Sequence, residues 1–167
     1  VSSAMATLFQ ESGARVLHVG CDPKHDSHIR HGPRVPVPTV MDEFVRLSGT
    51  MGPDEFDQSI VTDTETGVHV IEAGGPEPGM GCAGRAVALM LDLLDRSKAI
   101  REGRYDVVVL DVLGDVVCGG FATPLRSPVP SDVCLVTSED FMSLYAANNI
   151  AKGLRNLTTV GQSRLIG

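Results

Sequence analysis

Four short runs of apolar residues punctuate the chain, at residues 15–19, 68–73, 106–111 and 132–137. Each is continuous rather than alternating, the pattern of strands covered on both faces by helices. Helical periods lie between them. In residues 1–12 the apolar Ala4, Met5, Leu8 and Phe9 share one face, and Gly13 supplies a C-terminal stop. Residues 39–47, 83–96 and 139–154 form three further helical stretches. In the second of these Val87, Leu91 and Leu94 fall at helical spacing, widened by Leu89, Met90 and Leu93. Ser138 is the expected N-cap of the last helix, with two acids following it. Strand–helix alternation of this kind predicts a parallel sheet with right-handed crossovers, in a three-layer α/β/α domain spanning residues 1–167. Residues 32–38 and 49–53 read as Pro/Gly loops within it.

Composition narrows the class. The chain has 167 residues, 43% hydrophobic and 21% charged, with a mean hydropathy of +0.09. That is a globular balance, and at this length folding buries roughly 70% of the unfolded surface without a disulfide or metal staple. A net charge of −7 and 4% aromatics, with no Trp, argue against a nucleic-acid partner. No apolar run approaches a membrane span, and no secretory leader pattern opens the chain, so a cytoplasmic location is expected. Val1 is not a start methionine, and both ends fall within predicted elements. The chain therefore reads as an internal fragment.

The cysteines are Cys21, Cys82, Cys118 and Cys134, with no C-x-x-C pair to suggest a zinc ribbon or a thioredoxin motif. Cys134 lies in a predicted strand and reads as a small core residue, while Cys21 directly follows the first strand and fits either core or loop. Cys82 and Cys118 sit in glycine-rich loops after the carboxyl ends of two predicted parallel strands, where α/β proteins place their sites. Such loops bring backbone N–H groups close to a ligand, as an iron–sulfur cluster requires. Two thiolates are half a [4Fe–4S] set, which a two-fold dimer would complete; buried free thiols in tight turns are the competing reading. Gly79, Gly81 and Gly84 also satisfy G-x-G-x-x-G. Two prolines and Glu77 intervene after the strand, and Asp111 follows Gly84 by 27 residues, which disfavours a dinucleotide site.

A second constellation points to nucleotide chemistry. Val107-Val-Val-Leu-Asp111 is a buried run ending in an acid, the form of a strand that presents a carboxylate to Mg²⁺ or its water. Asp111-Val-Leu-Gly114 places a glycine N–H where a γ-phosphate could be sensed. Asp22, Lys24 and Asp26 alternate on the loop after the first strand. They suit Mg²⁺-linked water and phosphate charge, or form a solvated charge cluster. No G-x-x-x-x-G-K-[ST] loop occurs; in a P-loop fold it would precede the first helix.

Gly20-Cys-Asp-Pro-Lys24, Gly74-Gly-Pro-Glu-Pro-Gly79, Gly81-Cys-Ala-Gly-Arg85, residues 111–122 and Tyr145-Ala-Ala-Asn-Asn-Ile150 together closely resemble the nitrogenase iron protein family, over nearly the whole chain. That family includes the iron-protein subunits of protochlorophyllide and chlorophyllide reductases. The resemblance implies a P-loop NTPase-like fold, here lacking the first strand with its P-loop and the C-terminal part. It implies a homodimer that binds ATP with Mg²⁺ and one [4Fe–4S] cluster between subunits. Electrons would come from a ferredoxin or flavodoxin and pass to a separate catalytic component like the molybdenum–iron protein.

Residue by residue, the resemblance makes Cys82 and Cys118 the cluster ligands and Asp111 the Walker B acid. It places Gly114 and Asp115 in the second switch, with Asp115 as the general base. Asp22, Lys24 and Asp26 become the first switch, with Asp26 near Mg²⁺, and Arg85 faces the partner. As it stands, without the P-loop lysine, the chain is expected to bind ATP poorly.

The chain also departs from the family. Nitrogenase reductases usually read Asp-Pro-Lys-Ala-Asp-Ser-Thr where this chain has Asp22-Pro-Lys-His-Asp-Ser-His28. His25 resembles the tetrapyrrole-reductase branches, whereas Glu77-Pro78-Gly79 resembles nitrogenase. His25, His28 and His31, at three-residue steps, suggest either a metal site or a solvated loop. A partitioning-type P-loop ATPase without redox chemistry is the rival of another class. It explains the sheet and D-x-x-G but not the cysteine loops.

Overall fold

A computed structural model describes residues 1–76, 83–114, 132–158 and 164–166. They fall into two compact units, residues 1–112 and 113–167. In the first unit, helix α1 (Ser2–Glu11) leads into strand β1 (Val16–Cys21). A 3₁₀ turn (Ile29–His31) and helices α2 (Val40–Arg46) and α3 (Pro53–Gln58) follow. Strand β2 (His69–Glu72), helices α4 (Ala83–Arg96) and α5 (Lys98–Arg101) and strand β3 (Val107–Val112) complete it. The three strands form one parallel sheet in the order β2-β1-β3.

The local reasons are visible in the sequence. Gly13 takes φ +94° and ends α1 with the 13→10 and 14→9 backbone bonds of a left-handed stop. Thr39 caps α2, its Oγ1 accepting from the Asp42 N–H at 3.0 Å while its hydroxyl donates to the Asp42 carboxylate. Pro53 opens α3, and Glu55 reaches back to accept from the Gly52 N–H at 3.0 Å. Asp57 then ties α3 to α5, accepting from the Ser97 hydroxyl and the Ala99 N–H. At the amino ends of β1 and β3, Asp106 accepts from the backbone and the guanidinium of Arg15, which hold its carboxyl well below the usual range.

The central strand β1 is buried at every residue, His18 included, as a run that is otherwise apolar requires. Its two faces differ. Leu17, Val19 and Cys21 point with Ile71 and Ala73 into a core built with Phe56, Met90, Leu93 and Leu94 from α3 and α4. Val16 points the other way, with Val68 and Val70, and packs against Ala6 of α1. Helices therefore cover both faces, and the first unit has the expected three layers.

The second unit contains strand β4 (Asp132–Cys134), helix α6 (Phe141–Thr158) and strand β5 (Arg164–Ile166). Strands β4 and β5 pair in parallel. Two expectations need correcting here. Cys134 is exposed rather than buried, because β4 is a three-residue strand whose only ladder among the described residues is with β5. Ser138 is not the cap of α6. Asp140 accepts from the N–H groups of Met142 and Ser143, so the helix starts two residues later than its sequence pattern indicated. Among the described residues no helix is long and apolar enough to cross a membrane.

The packing yields a stability contrast. Phe56 is fully buried between α3 and α4, so Phe56→Ala should cost roughly 3–5 kcal/mol in urea unfolding. Arg46→Ala breaks only an exposed pair with Glu43 and should cost less than about 1 kcal/mol.

Candidate functional site

The register places Gly20 of β1 opposite Glu72 on one side and Asp111 on the other. Register partners share a face, so two carboxylates flank a glycine at the carboxyl end of the sheet. His18, one step back on the same face, completes a polar patch beyond the valines that pack under α1. Gly20 is required by space: a Cβ there would fall inside the Glu72 carboxylate.

The loop after β1 folds back over this patch. Ser27 donates its hydroxyl to Asp111 Oδ2 at 2.9 Å. His28 donates to Glu72 Oε1 twice, from its backbone N–H and its ring Nδ1–H, each at 2.8 Å. His31 Nε2 lies 2.8 Å from His18 Nδ1, and its Nδ1 lies 3.0 Å from the Thr66 hydroxyl. His18 Nε2 faces Asp111 Oδ2 at 3.9 Å. At the loop's start Asp22 accepts from the Lys24 N–H at 2.8 Å, while Lys24 and Asp26 are exposed. Pro23 meets the next loop, where a Cβ on Gly75 would come 2.6 Å from the Pro23 Cβ.

Burial sets the electrostatics. Glu72 is 1% exposed, and burial pushes its carboxyl up while the His28 bonds pull it back in part. Burial and the neighbouring His31 push His18 down to about 4; burial also lowers His31. Cys21, on the opposite face of β1, is pushed up to about 12 by burial and by Asp111 and Glu72. It stays a thiol in the core and is a poor metal ligand.

The structure thus brings Asp22, Lys24 and Asp26, on one loop, to the same sheet end as Asp111. Gly114, in the second unit, is exposed with open space around its Cα. Arg85 is exposed in the first turn of α4. Cys82, Asp115 and Cys118 lie outside the described residues, as does most of the G-x-G-x-x-G stretch. The three-step histidines form neither a shared metal site nor a solvated loop: His28 and His31 turn inward onto different partners, and His25 is exposed with its ring on the Pro23 carbonyl. Among the described residues no group of three or more His, Cys, Asp and Glu side chains could hold a metal ion. Mg²⁺ needs no such cage, because it keeps waters and takes one or two carboxylates with substrate phosphates. Sequence reading missed Glu72 and His18. Their signal was a charged and a titratable residue inside otherwise apolar strand runs, which costs stability unless paired.

Comparison with solved structures shows the α/β fold to be of the P-loop NTPase type. Cobyrinic acid a,c-diamide synthase from Mycobacterium smegmatis, solved with a bound ATP analogue and magnesium, superposes with a TM-score of 0.66 at 19% identity. The match covers 99% of this chain and 66% of that one. The kinase domain of the Escherichia coli tyrosine kinase ETK gives 0.60 at 20% identity, over 100% and 61%. Sequence comparison goes further. Residues 1–167 match the model of the 4Fe-4S iron sulfur cluster binding proteins, NifH/frxC family, and the chain belongs to that family. It is 46% identical to a nitrogenase iron protein of Methanococcus voltae, over 98% of this chain and 57% of the relative. It is 41% identical to nitrogenase iron protein 2 of Methanothermococcus thermolithotrophicus, over 98% and 59%. The chain therefore spans a little over half the length of these curated relatives.

The buried histidines predict a pH dependence. In the unfolded chain His18 titrates near 6.5, and in the fold near 4. Below 6.5 the unfolded state binds a proton that the folded state refuses. His18's contribution is complete above about pH 6.5 and is lost as the pH falls toward 4, by up to about 3 kcal/mol. Unfolding midpoints measured from pH 7 to 4 should fall in that window, and His18→Val should flatten the slope.

Proposed function

We propose that the full-length protein is the ATP-dependent, electron-donating reductase component of a nitrogenase-type system. The observation that carries this reading is the Ser27–Asp111 bond in a chain of this family. It joins the loop bearing Asp22, Lys24 and Asp26 to the acid at the end of β3, the two elements that nucleotide hydrolysis requires together.

In this reading Asp111 holds Mg²⁺ or its water, and Asp22, Lys24 and Asp26 form a first switch that meets the nucleotide phosphates. Gly114 senses the γ-phosphate, and Asp115 accepts the proton of the attacking water. Cys82 and Cys118, contributed by each subunit of a homodimer, would hold a [4Fe–4S] cluster. Of the four cysteines, Cys21 is unsuited by burial, which supports placing the ligands on the glycine-rich loops. The cluster, when bound, supplies single-electron transfer to the catalytic partner. The chain's own contribution is a two-state loop pair after β1 and β3 that reports nucleotide state toward the cysteine loops. The Pro23–Gly75 contact supports that route, since Gly75 begins the loop that leads to Cys82. Arg85 belongs to the partner-facing surface. The proteins named above as relatives are nitrogenase iron proteins, which favours a nitrogenase-type partner over a tetrapyrrole reductase.

Anaerobic purification and reconstitution of the full-length protein tests the assignment. Cys82→Ala and Cys118→Ala should each lose the EPR signal of the reduced cluster, while Cys21→Ala keeps it. A Cys118→Ala protein with an intact signal contradicts the ligand set. Iron and sulfide content near zero in the wild type would favour the non-redox ATPase. Asp115→Asn should slow ATP hydrolysis by roughly 100-fold or more while retaining nucleotide binding.

A further inference from the structure

Residues 22–31 are attached to the sheet at three points, and each attachment reaches a different strand. Ser27 bonds Asp111 on β3, His28 bonds Glu72 on β2, and His31 meets His18 on β1. A fourth contact, His31 to Thr66, extends the last one to the turn before β2. The His28 attachment is the one whose acceptor is a buried carboxylate. Glu72 is 1% exposed, His28 supplies both bonds to its Oε1, and its Oε2 has no partner among the described residues. A buried carboxylate with one donor residue depends on that residue more than a surface carboxylate would. His25, on the same loop, is exposed, and its ring bonds the nearby Pro23 carbonyl.

We propose that His28 and His31 are positioning residues that clamp the loop carrying Asp22, Lys24 and Asp26 onto the sheet beside Asp111, so that these groups stand in place before nucleotide arrives. The proposal rests on the nucleotide-binding reading of those four residues. An unclamped loop would have to be ordered at the moment of binding, and that cost would appear as weaker binding. The rings of His28 and His31 are engaged with Glu72, His18 and Thr66, so in this proposal they act on the loop and leave the chemical step itself unaffected. Losing the clamp therefore raises KM for MgATP and leaves kcat alone. His28→Thr is the direct probe: it keeps the backbone bond to Glu72 and removes the ring bond.

The test uses the full-length protein as wild type, His28→Thr and His28→Gln. Steady-state ATP hydrolysis and backbone hydrogen exchange without nucleotide are measured on each. His28→Thr should raise KM for MgATP about tenfold with kcat unchanged, and speed exchange across residues 22–31 but not in β1 or β3. His28→Gln, whose side-chain N–H can still serve Glu72, should restore KM toward wild type. Wild-type KM and wild-type loop exchange in His28→Thr would overturn the proposal. So would a joint change of KM, kcat and exchange throughout the sheet that His28→Gln does not rescue, which marks a structural role alone. A protein that hydrolyses no ATP but whose loop exchange still depends on His28 contradicts the hydrolase reading and leaves the clamp standing.

Discussion

Everything at the functional end of the first unit follows from Gly20 having no side chain. The register sets Glu72 and Asp111 on either side of it, and the Glu72 carboxylate occupies the space a Cβ would take. A buried carboxylate must find donors, and the chain supplies them by turning the next loop back across the sheet. Ser27 and His28, adjacent in sequence, serve Asp111 and Glu72 respectively. The same turn brings Asp22, Lys24 and Asp26 to the sheet end that bears Asp111. The satisfaction of buried polar groups and the placing of the proposed nucleotide-site residues are thus one structural event.

Much of this architecture was legible because its signals are local and strong. Continuous apolar runs marked β1 and β3, and the spacing of Val87, Leu91 and Leu94 marked α4. The acid closing the third run located Asp111. What was not legible depended on long-range pairing. Helix α3 is six residues long and shows no hydrophobic period; only Pro53 and Glu55 announce it. The partners of Glu72 and His18 lie 44 and 13 residues away in the chain, so no spacing rule reveals them. Cys134 carried an apolar strand signature, yet β4 ends at that residue and leaves it exposed.

The cysteines illustrate how environment divides one residue type into different roles. Cys21 faces the aliphatic core of α3 and α4, where burial and two nearby carboxylates keep it protonated. A metal ligand needs the opposite surroundings: a thiolate with backbone donors near it. Glycine-rich loops supply those donors, and Cys82 and Cys118 are the cysteines whose sequence neighbours are of that kind. In the proposed function, redox chemistry and core packing draw on separate members of the same set, so a substitution in one need not disturb the other.

The central claim is that Asp111, with the loop latched to it, forms a magnesium-dependent nucleotide site. Calorimetric titration of the full-length protein with ATP, with Mg²⁺ and with a chelator in its place, measures this most directly. The account predicts tight binding that requires Mg²⁺ in the wild type and loses that requirement in Asp111→Asn. Equal affinity with and without Mg²⁺ in the wild type, or a magnesium dependence unchanged by Asp111→Asn, would contradict it.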